Sequence, residues 1–417
     1  MKEDKAYPCF CSQDELRAHR DYLMSIGKPP LYSGKCRNLK KEEVEKNIKE
    51  GKPFVIRFKT PLKKVKFTDM LRGEIEHDSA TFGDFAVAKS KTEPLFNLAN
   101  VIDDSEMKIT HIIRGEDHIP NTPRQILLSE ALEIKIPKYL HLPLILGSDR
   151  SKLSKRHGAK SVLDYKEEGY LPEAIVNFLA LLGWNPGTER EIFSLNSLIK
   201  EFSLEKVQSG GAVFNTQKLD WLNGFYIKKK TPEKLAALLA PYLQEEGLIE
   251  PFFKTQNYPP GYGAETISQN FKIKETGEEI SLIFIQRVAE LYQERLKNIK
   301  ESTALIDFFF RDELDYQKDL LKWKDMTDKE VKQSIDLLKK SLSNIKEKSW
   351  TKENIQNTLM KSWQNRSSSG AGERGKILWP LRAALSGKKA SAGPFEVAEV
   401  LGKEKTLKRL KEAKKKL

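Results

Sequence analysis

Four cations fall within seven residues at Arg150, Lys152, Lys155 and Arg156, inside the run Arg150-Ser151-Lys152-Leu153-Ser154-Lys155-Arg156-His157-Gly158. They repel one another unless something anionic sits among them. A polyphosphate is the natural partner, because lysine is a mobile point charge for developing phosphate charge. A solvated basic loop is the plainer reading of the composition alone. Cys9, Cys11 and Cys36, with Tyr32 four residues before the last, form a second group. Zinc takes four N, S or O ligands in a tetrahedron, so three thiolates leave one vacancy. Tyr32 fills it better than Asn38, and three buried, reduced cysteines are the alternative. Arg114-Gly115-Glu116-Asp117-His118 is a third group, with a cation, two acids and an imidazole in five residues.

Positioning these groups falls to short apolar elements. Ile109-Thr110-His111-Ile112-Ile113-Arg114 reads as a strand ending at Gly115. Thr122 reads as a helix cap with Pro123 at the first helical position, the helix running to about Leu132. Tyr139-Leu140-His141-Leu142-Pro143-Leu144-Ile145-Leu146 reads as a buried strand emptying through Gly147-Ser148-Asp149 into the basic loop. Strand, helix, strand with short links is a βαβ unit with parallel strands. Parallel strands put their C-terminal ends on one edge, where open α/β sheets bind ligands. Residues 114–118 and the 152–156 loop are therefore expected to face one crevice. Upstream, Phe96, Asn100 and Asp103 recur at helical spacing. An asparagine buried beside an arginine at a strand end can fix the polar groups of an amino acid. A helix-end hydrogen bond is the simpler role for Asn100, and a cap or solvated turn for Asp103 and Asp104.

Composition narrows the partner. The 417 residues carry 72 Lys and Arg against 59 Asp and Glu, a net charge of +13, which favours nucleic acid first and an anionic membrane second. No run approaches the apolar length of a membrane span, and Met1-Lys2-Glu3-Asp4-Lys5 is not a secretory leader. An odd number of cysteines, three, suits a reducing cytoplasm and not a disulfide framework. Every histidine and cysteine lies before Gly158, which places the chemistry in the front of the chain.

Ahead of the crevice, 53–58, 65–69 and 84–89 read as short strands of a small α+β module, not as the start of a parallel sheet. Behind it, 171–184 is a short apolar helix stopped by Gly183 and Pro186. From Thr231 onward helical periodicity dominates, at 233–248, 276–300, 328–343, 351–364 and 396–416, and predicts an all-α bundle. The tail from Lys403 holds eight cations against two acids, as a phosphate-contacting helix or a solvated one. Gly370-Ala371-Gly372-Glu373-Arg374-Gly375-Lys376 imitates a phosphate loop, but Ile377 stands where Ser or Thr would hold magnesium, and no strand precedes it. A polar loop inside the bundle is expected there.

Lys152-Leu153-Ser154-Lys155-Arg156 resembles the Lys-Met-Ser-Lys-Ser signature loop of class I aminoacyl-tRNA synthetases. The stretches 7–11, 69–73, 96–104, 109–118, 121–125 and 141–158, in that order, resemble glutamyl-tRNA synthetases of the bacterial type, and the similarity continues to the C-terminus. The resemblance implies an α/β plus all-α chain: a partial Rossmann-type parallel sheet with an inserted α+β module, then a helical stem-contact domain and a helical-bundle anticodon-binding domain. The implied boundaries are 1–91 for the inserted acceptor-binding module, 92–160 for the second Rossmann half, 161–230 for the stem-contact domain and 231–417 for the anticodon-binding domain. The implied reaction has two steps: glutamate attacks the α-phosphate of ATP, accompanied by Mg2+, and the terminal ribose of tRNA(Glu) then takes the glutamyl group. A cytoplasmic monomer with no membrane partner is expected. By motif position Lys152 and Lys155 would stabilise the pyrophosphate leaving group, with Ser154 hydrogen-bonding within the loop. Phe96, Asn100 and Arg114 would meet glutamate, Arg114 on a carboxylate. Glu116, Asp117 and His118 would line the nucleotide side with Lys155, and backbone near Ile145 would meet adenine. Cys9, Cys11, Tyr32 and Cys36 remain the candidates for a structural zinc ion.

Two departures matter. Phe96 stands where the family usually has a tyrosine, so one hydroxyl contact is lost. The other class I signature, a His-x-Gly-His-like turn after the first strand, is absent from the sequence; His157-Gly158 belongs to the basic loop. A chain lacking its N-terminal part is expected, or a half-site completed by another chain. It should be nearly inactive alone in glutamate-dependent ATP–pyrophosphate exchange, since each lost donor to transition-state charge costs of order 10²–10³ in rate. A tRNA-binding protein without synthetase activity is the alternative reading. A third, an enzyme glutamylating a tRNA base, fits poorly with the long helical C-terminal region.

Overall fold

A computed structural model describes residues 1, 3–154, 156, 158, 160–252, 270–364 and 374–417. Lys155, His157 and the 370–373 part of the phosphate-loop imitation lie outside the described residues. The chain divides into two units, Met1–Ala159 with Leu179–Phe214, and Lys160–Phe178 with Asn215–Leu417.

The strands of the first unit are β1 (Ala6–Cys9), β2 (Val55–Phe58), β3 (Lys64–Asp69), β4 (Gly73–Asp78), β5 (Ala86–Ala88), β6 (His111–Gly115), β7 (Lys138–Leu142), β8 (Ile145–Leu146) and β9 (Ala212–Val213). β1, β2 and β5 form an antiparallel sheet in that order, and β4, β3, β7 and β6 form a four-stranded mixed one. β6 and β7 are parallel, in register from His111 opposite Lys138 to Gly115 opposite Leu142. Helix α1 (Gln13–Ser25) starts with a capping box between Ser12 and Glu15, and α2 (Lys41–Lys49) has no buried residue. Helix α3 (Phe96–Glu106) and the crossover helix α4 (Thr122–Ala131) pack with the sheets around Phe58, Val65, Val87, Val101, Leu127 and Tyr139. The expected parallel strand pair is present.

Three expectations in this unit need correction. β3 was expected in a separate front module, yet it lies in the mixed sheet, parallel to β7 with Asp69 opposite Tyr139. Thr122 is the first helical residue, not a cap; its hydroxyl is drawn inward to accept from Arg114 Nη2 at 2.8 Å. The 139–146 run is two strands. Pro143 has no N–H for a ladder, so β7 ends at Leu142, and β8 pairs in parallel with β9 in another sheet. Gly211 lies close beside that pairing: a Cβ there would sit 2.8 Å from Leu146 Cδ1, and the leucine side chain would have to shift.

In the second unit the segments 170–178 and 216–228 are tied by buried polar groups. Asn223 accepts from Leu171 N–H at 2.8 Å and donates to Lys297 O at 2.7 Å; Tyr226 Oη donates to Asn177 Oδ1 at 2.7 Å. Helices Pro232–Glu245, Leu282–Tyr292, Asp328–Ser343, Lys352–Gln364, Gly375–Ser386, Pro394–Leu401 and Lys403–Lys415 follow. The all-α expectation misses a three-stranded antiparallel sheet of Ile249–Pro251, Asn270–Ile273 and Glu279–Ser281. Consequently 276–300 is not one helix: it holds the last of these strands, one helix and the start of another at Ile299. The expected 396–416 helix is broken at Gly402, whose φ of 80° lies outside the helical region. Gly375 and Lys376, expected in a loop, begin a helix instead.

The tail is neither free nor wholly solvated. Arg409 is buried and donates to Leu385 O, Phe308 O at 2.5 Å and Arg311 O at 2.9 Å. Lys405 donates to Phe309 O at 3.1 Å, and burial pulls its pKa down. Lys408 pairs with Asp312 at 2.5 Å and Lys414 with Asp336 at 2.6 Å.

Candidate active site at the strand ends

Arg114 lies on β6 opposite His141 of β7, one residue before the strand end. Its Nε–H donates to His141 Nε2 at 3.2 Å, and Nη2 donates to Thr122 Oγ1 and Gln125 Oε1, both at 2.8 Å. Gln125 in turn donates to Asn100 Oδ1 at 2.9 Å. Asn100 is thereby linked to Arg114 through Gln125. Among the described residues no acceptor is offered to Nη1, so one end of the guanidinium keeps its donors. Burial lowers the pKa of Arg114, but an arginine stays charged.

His141 sits behind the arginine and is fully buried. Asp69 Oδ2, also buried, lies 2.7 Å from its Nδ1 and accepts its backbone N–H at 3.0 Å. The other carboxylate oxygen holds the β3–β4 turn, accepting from Leu71 and Arg72 N–H at 3.0 and 2.9 Å. Burial, set against the hydrogen bond to Asp69, lowers the pKa of His141, so the ring is neutral. Sequence reading missed His141, Asp69, Thr122 and Gln125 as site residues. The available signal was a histidine inside an otherwise apolar run.

Glu116, Asp117 and His118 follow β6 in a short 3-10 turn. Glu116 pairs with Arg72 and accepts Leu144 N–H at 3.1 Å, so both its oxygens are engaged. Asp117 faces the basic loop: Lys152 Nζ lies 2.9 Å from Oδ2, a bond that lowers the carboxyl's pKa. The His118 ring is 5.5 Å from that of Phe96, which is 54% exposed at the start of α3. Ile145 is 39% exposed and its carbonyl accepts Leu153 N–H at 2.9 Å, folding the loop back over β8. Arg114 and Lys152 are thus both at the C-terminal edge of the parallel pair, and Lys155 lies outside the described residues. A cavity of about 460 Å³ lined by Asn100, Asp104, His111, Gln125 and Tyr139 opens toward the opposite, N-terminal ends of β6 and β7.

The cysteine group converges as its spacing predicts. The Sγ atoms of Cys9, Cys11 and Cys36 lie within 4.8 Å of one another, with Cys11 and Cys36 3.7 Å apart. Zinc–thiolate bonds in a tetrahedron put sulfurs about 3.8 Å apart, so the group fits such an ion. Tyr32 Oη is 3.3 Å from Cys9 Sγ and 3.7 Å from Cys11 Sγ, but it also accepts Cys36 N–H at 2.9 Å. Burial pushes the Cys11 thiol up to about 11, so without a cation it stays protonated.

The chain is similar to known proteins along nearly its whole length. Residues 1–221 match the family of class I tRNA synthetases (E and Q), catalytic domain, and residues 234–414 match an anticodon binding domain. The chain is 38% identical to glutamate–tRNA ligase 2 of Thermoanaerobacter pseudethanolicus, over 99% of its own length and 79% of the relative's. It is 41% identical to the glutamate–tRNA ligase of Aquifex aeolicus, over 98% of its own length and 80% of the relative's. A crystal structure of a glutamate–tRNA ligase from Elizabethkingia meningosepticum, in complex with its amino acid, superposes with a TM-score of 0.77 at 29% identity, covering 99% of this chain and 80% of that one. With a mixed parallel sheet, a helical C-terminal half and these relatives, the chain belongs to the glutamate–tRNA ligases of the class I aminoacyl-tRNA synthetases.

Proposed function

We propose that the chain joins glutamate to tRNA(Glu) in two steps, with Arg114 and Lys152 serving the first. The reading is carried by their placement at one crevice edge, where Nη1 of the strand-end arginine has no acceptor among the described residues and the loop lysine stands beside Asp117. Arg114 takes a carboxylate of glutamate through that end of its fork. An oxygen of glutamate's α-carboxylate attacks the α-phosphorus of ATP, and the bond to the bridging oxygen of pyrophosphate breaks. Lys152 neutralises the charge gathering on that leaving group, with Lys155 and Ser154 in the same loop. The tRNA ribose hydroxyl then attacks the acyl carbon and AMP leaves. Phe96 and His118 form a ring pair beside the site, Asp117 borders the nucleotide side, and backbone at Ile145 meets adenine. Magnesium accompanies the ATP.

We further propose that Cys9, Cys11 and Cys36 hold a structural zinc ion, with Tyr32 as the fourth ligand. The division into an acceptor-binding module, a catalytic half-sheet, a stem-contact segment and an anticodon-binding bundle is proposed with the same family as its basis.

The test is selectivity. Preference among amino acids and tRNAs is the informative readout. With tRNA(Glu) present, glutamate alone among the twenty amino acids should support pyrophosphate exchange and become attached to the tRNA. Preference for another amino acid, or charging indifferent to which tRNA is supplied, would overturn the proposal. tRNA binding with no trace of charging would instead favour a binding protein.

A further inference from the structure

Three of the five N–H donors of Arg114 are spent inside the protein, on His141, Thr122 and Gln125. The bond from Nε requires that His141 Nε2 carry no proton. That leaves the proton on Nδ1, which donates to Asp69 Oδ2 at 2.7 Å. Asp69 is itself fixed by four hydrogen bonds, including the backbone N–H of His141. The chain Asp69–His141–Arg114 therefore runs across three adjacent strands, β3, β7 and β6. We infer that His141, held in one tautomer by Asp69, is a positioning residue that aims the open end of Arg114 at the substrate carboxylate. This rests on the reading that Arg114 binds glutamate.

The inference separates an aiming role from simple core filling. Were His141 to take the other tautomer, Nε2–H would face the Nε–H of Arg114, and two donors would meet. An arginine with five donors and a long stem then has other rotamers to choose, and the fork loses its direction. Thr122 and Gln125 take the two hydrogens of Nη2, and the Nε edge of the group depends on His141, whose Nε2 also lies 3.1 Å from Thr122 Oγ1.

Two replacements divide the functions of the imidazole. The amide of asparagine reaches about as far as Nδ1, so His141→Asn keeps a donor for Asp69 and removes the acceptor for Arg114. The longer His141→Gln offers an acceptor near the place of Nε2. Glutamate affinity is read by calorimetry on the full chain with tRNA(Glu) bound. It should fall about ten- to a hundredfold in His141→Asn, the range for a charged hydrogen bond, and recover largely in His141→Gln. ATP affinity should not move. Equal losses of glutamate and ATP affinity in both variants would show a packing role and overturn the inference. Arg114→Ala is the control for the underlying reading: unchanged glutamate affinity there would refute the assignment of Arg114. Nitrogen-15 NMR tests the relay independently of any ligand. A protonated Nε2 on His141, or an Arg114 Nε–H signal that ignores His141→Asn, would overturn it outright.

Discussion

Lys152 reaches across from the basic loop to Asp117 at the end of β6, Nζ to Oδ2 at 2.9 Å, so the flap and the strand edge are joined by one exposed ion pair. Such a pair in water adds little stability. If Lys152 serves the leaving group as proposed, its worth is positional, and on binding ATP the lysine would exchange one anion for another. Lys152→Ala is expected to slow glutamyl-adenylate formation by about 10²–10³. Asp117→Asn should leave that rate within about tenfold, since it removes the competitor and not the cation. Single-turnover measurements with tRNA(Glu) check both, and a Lys152→Ala rate equal to that of the parent would remove this residue from the reaction.

The sulfur cluster makes a prediction about metal content. After exhaustive dialysis, about one zinc ion per chain should remain, as expected of one closed tetrahedral site. Cys36→Ser should abolish it and lower the melting temperature. Tyr32→Phe should weaken retention without eliminating it, because three thiolates survive. A metal-free protein with an unchanged melting profile would exclude the site.

Acid should reveal a pair of lysines acting on one aspartate. Asp328, in the first turn of its helix, lies 2.7 Å from Lys318 and 2.9 Å from Lys322, and its pKa falls from 3.8 to about 2 through those hydrogen bonds. A carboxyl with a depressed folded pKa stabilises the fold above its unfolded value, and loses that contribution as pH falls through the folded one. The window is therefore about pH 4 down to about 2. Asp328→Asn should flatten the fall of the urea midpoint across it. An identical slope in parent and variant would show that the pair contributes nothing.

The tail should matter less to RNA than its charge implies. Lys405, Lys408, Arg409 and Lys414 are bound to carbonyls or carboxylates of their own unit. Lys411 and Lys415 are exposed. Replacing these two by alanine should change the slope of log affinity for tRNA against log salt by no more than about 2. A larger change would mean that the internal pairs open on binding.

What could be read from the chain, and what could not, divides by distance along it. The β6–α4–β7 unit was legible because its apolar runs and short links leave one arrangement. Arg114 and Lys152 were reachable from that topology alone. Asp69 was not, because its partner His141 is 72 residues away and nothing local distinguishes it from a turn aspartate. Pro143 and Gly402 carried the correct signals for breaks, yet both were overruled by the apolar pattern around them. The sheet beginning at Ile249 escaped notice because strands of three and four residues leave almost no alternation to detect. Arg409 misled for the opposite reason: a cation on a basic helix looks solvated, and only the carbonyls of Leu385, Phe308 and Arg311 show why it is buried.

Pro143 has a mechanical consequence. By ending β7 it uncouples the root of the basic loop from the rigid four-stranded sheet and hangs it on a ribbon two residues wide, β8 against β9. The root of the loop is then held by that ribbon, by the Leu144 N–H on Glu116 and by the Lys152–Asp117 pair, while the aspartate, imidazole and guanidinium are seated in the four-stranded sheet. Amide exchange should consequently be faster at Leu146 and Leu153 than at Leu140 and His141, and equal rates at the four would show that the break at Pro143 leaves the loop's root as firmly held as the sheet.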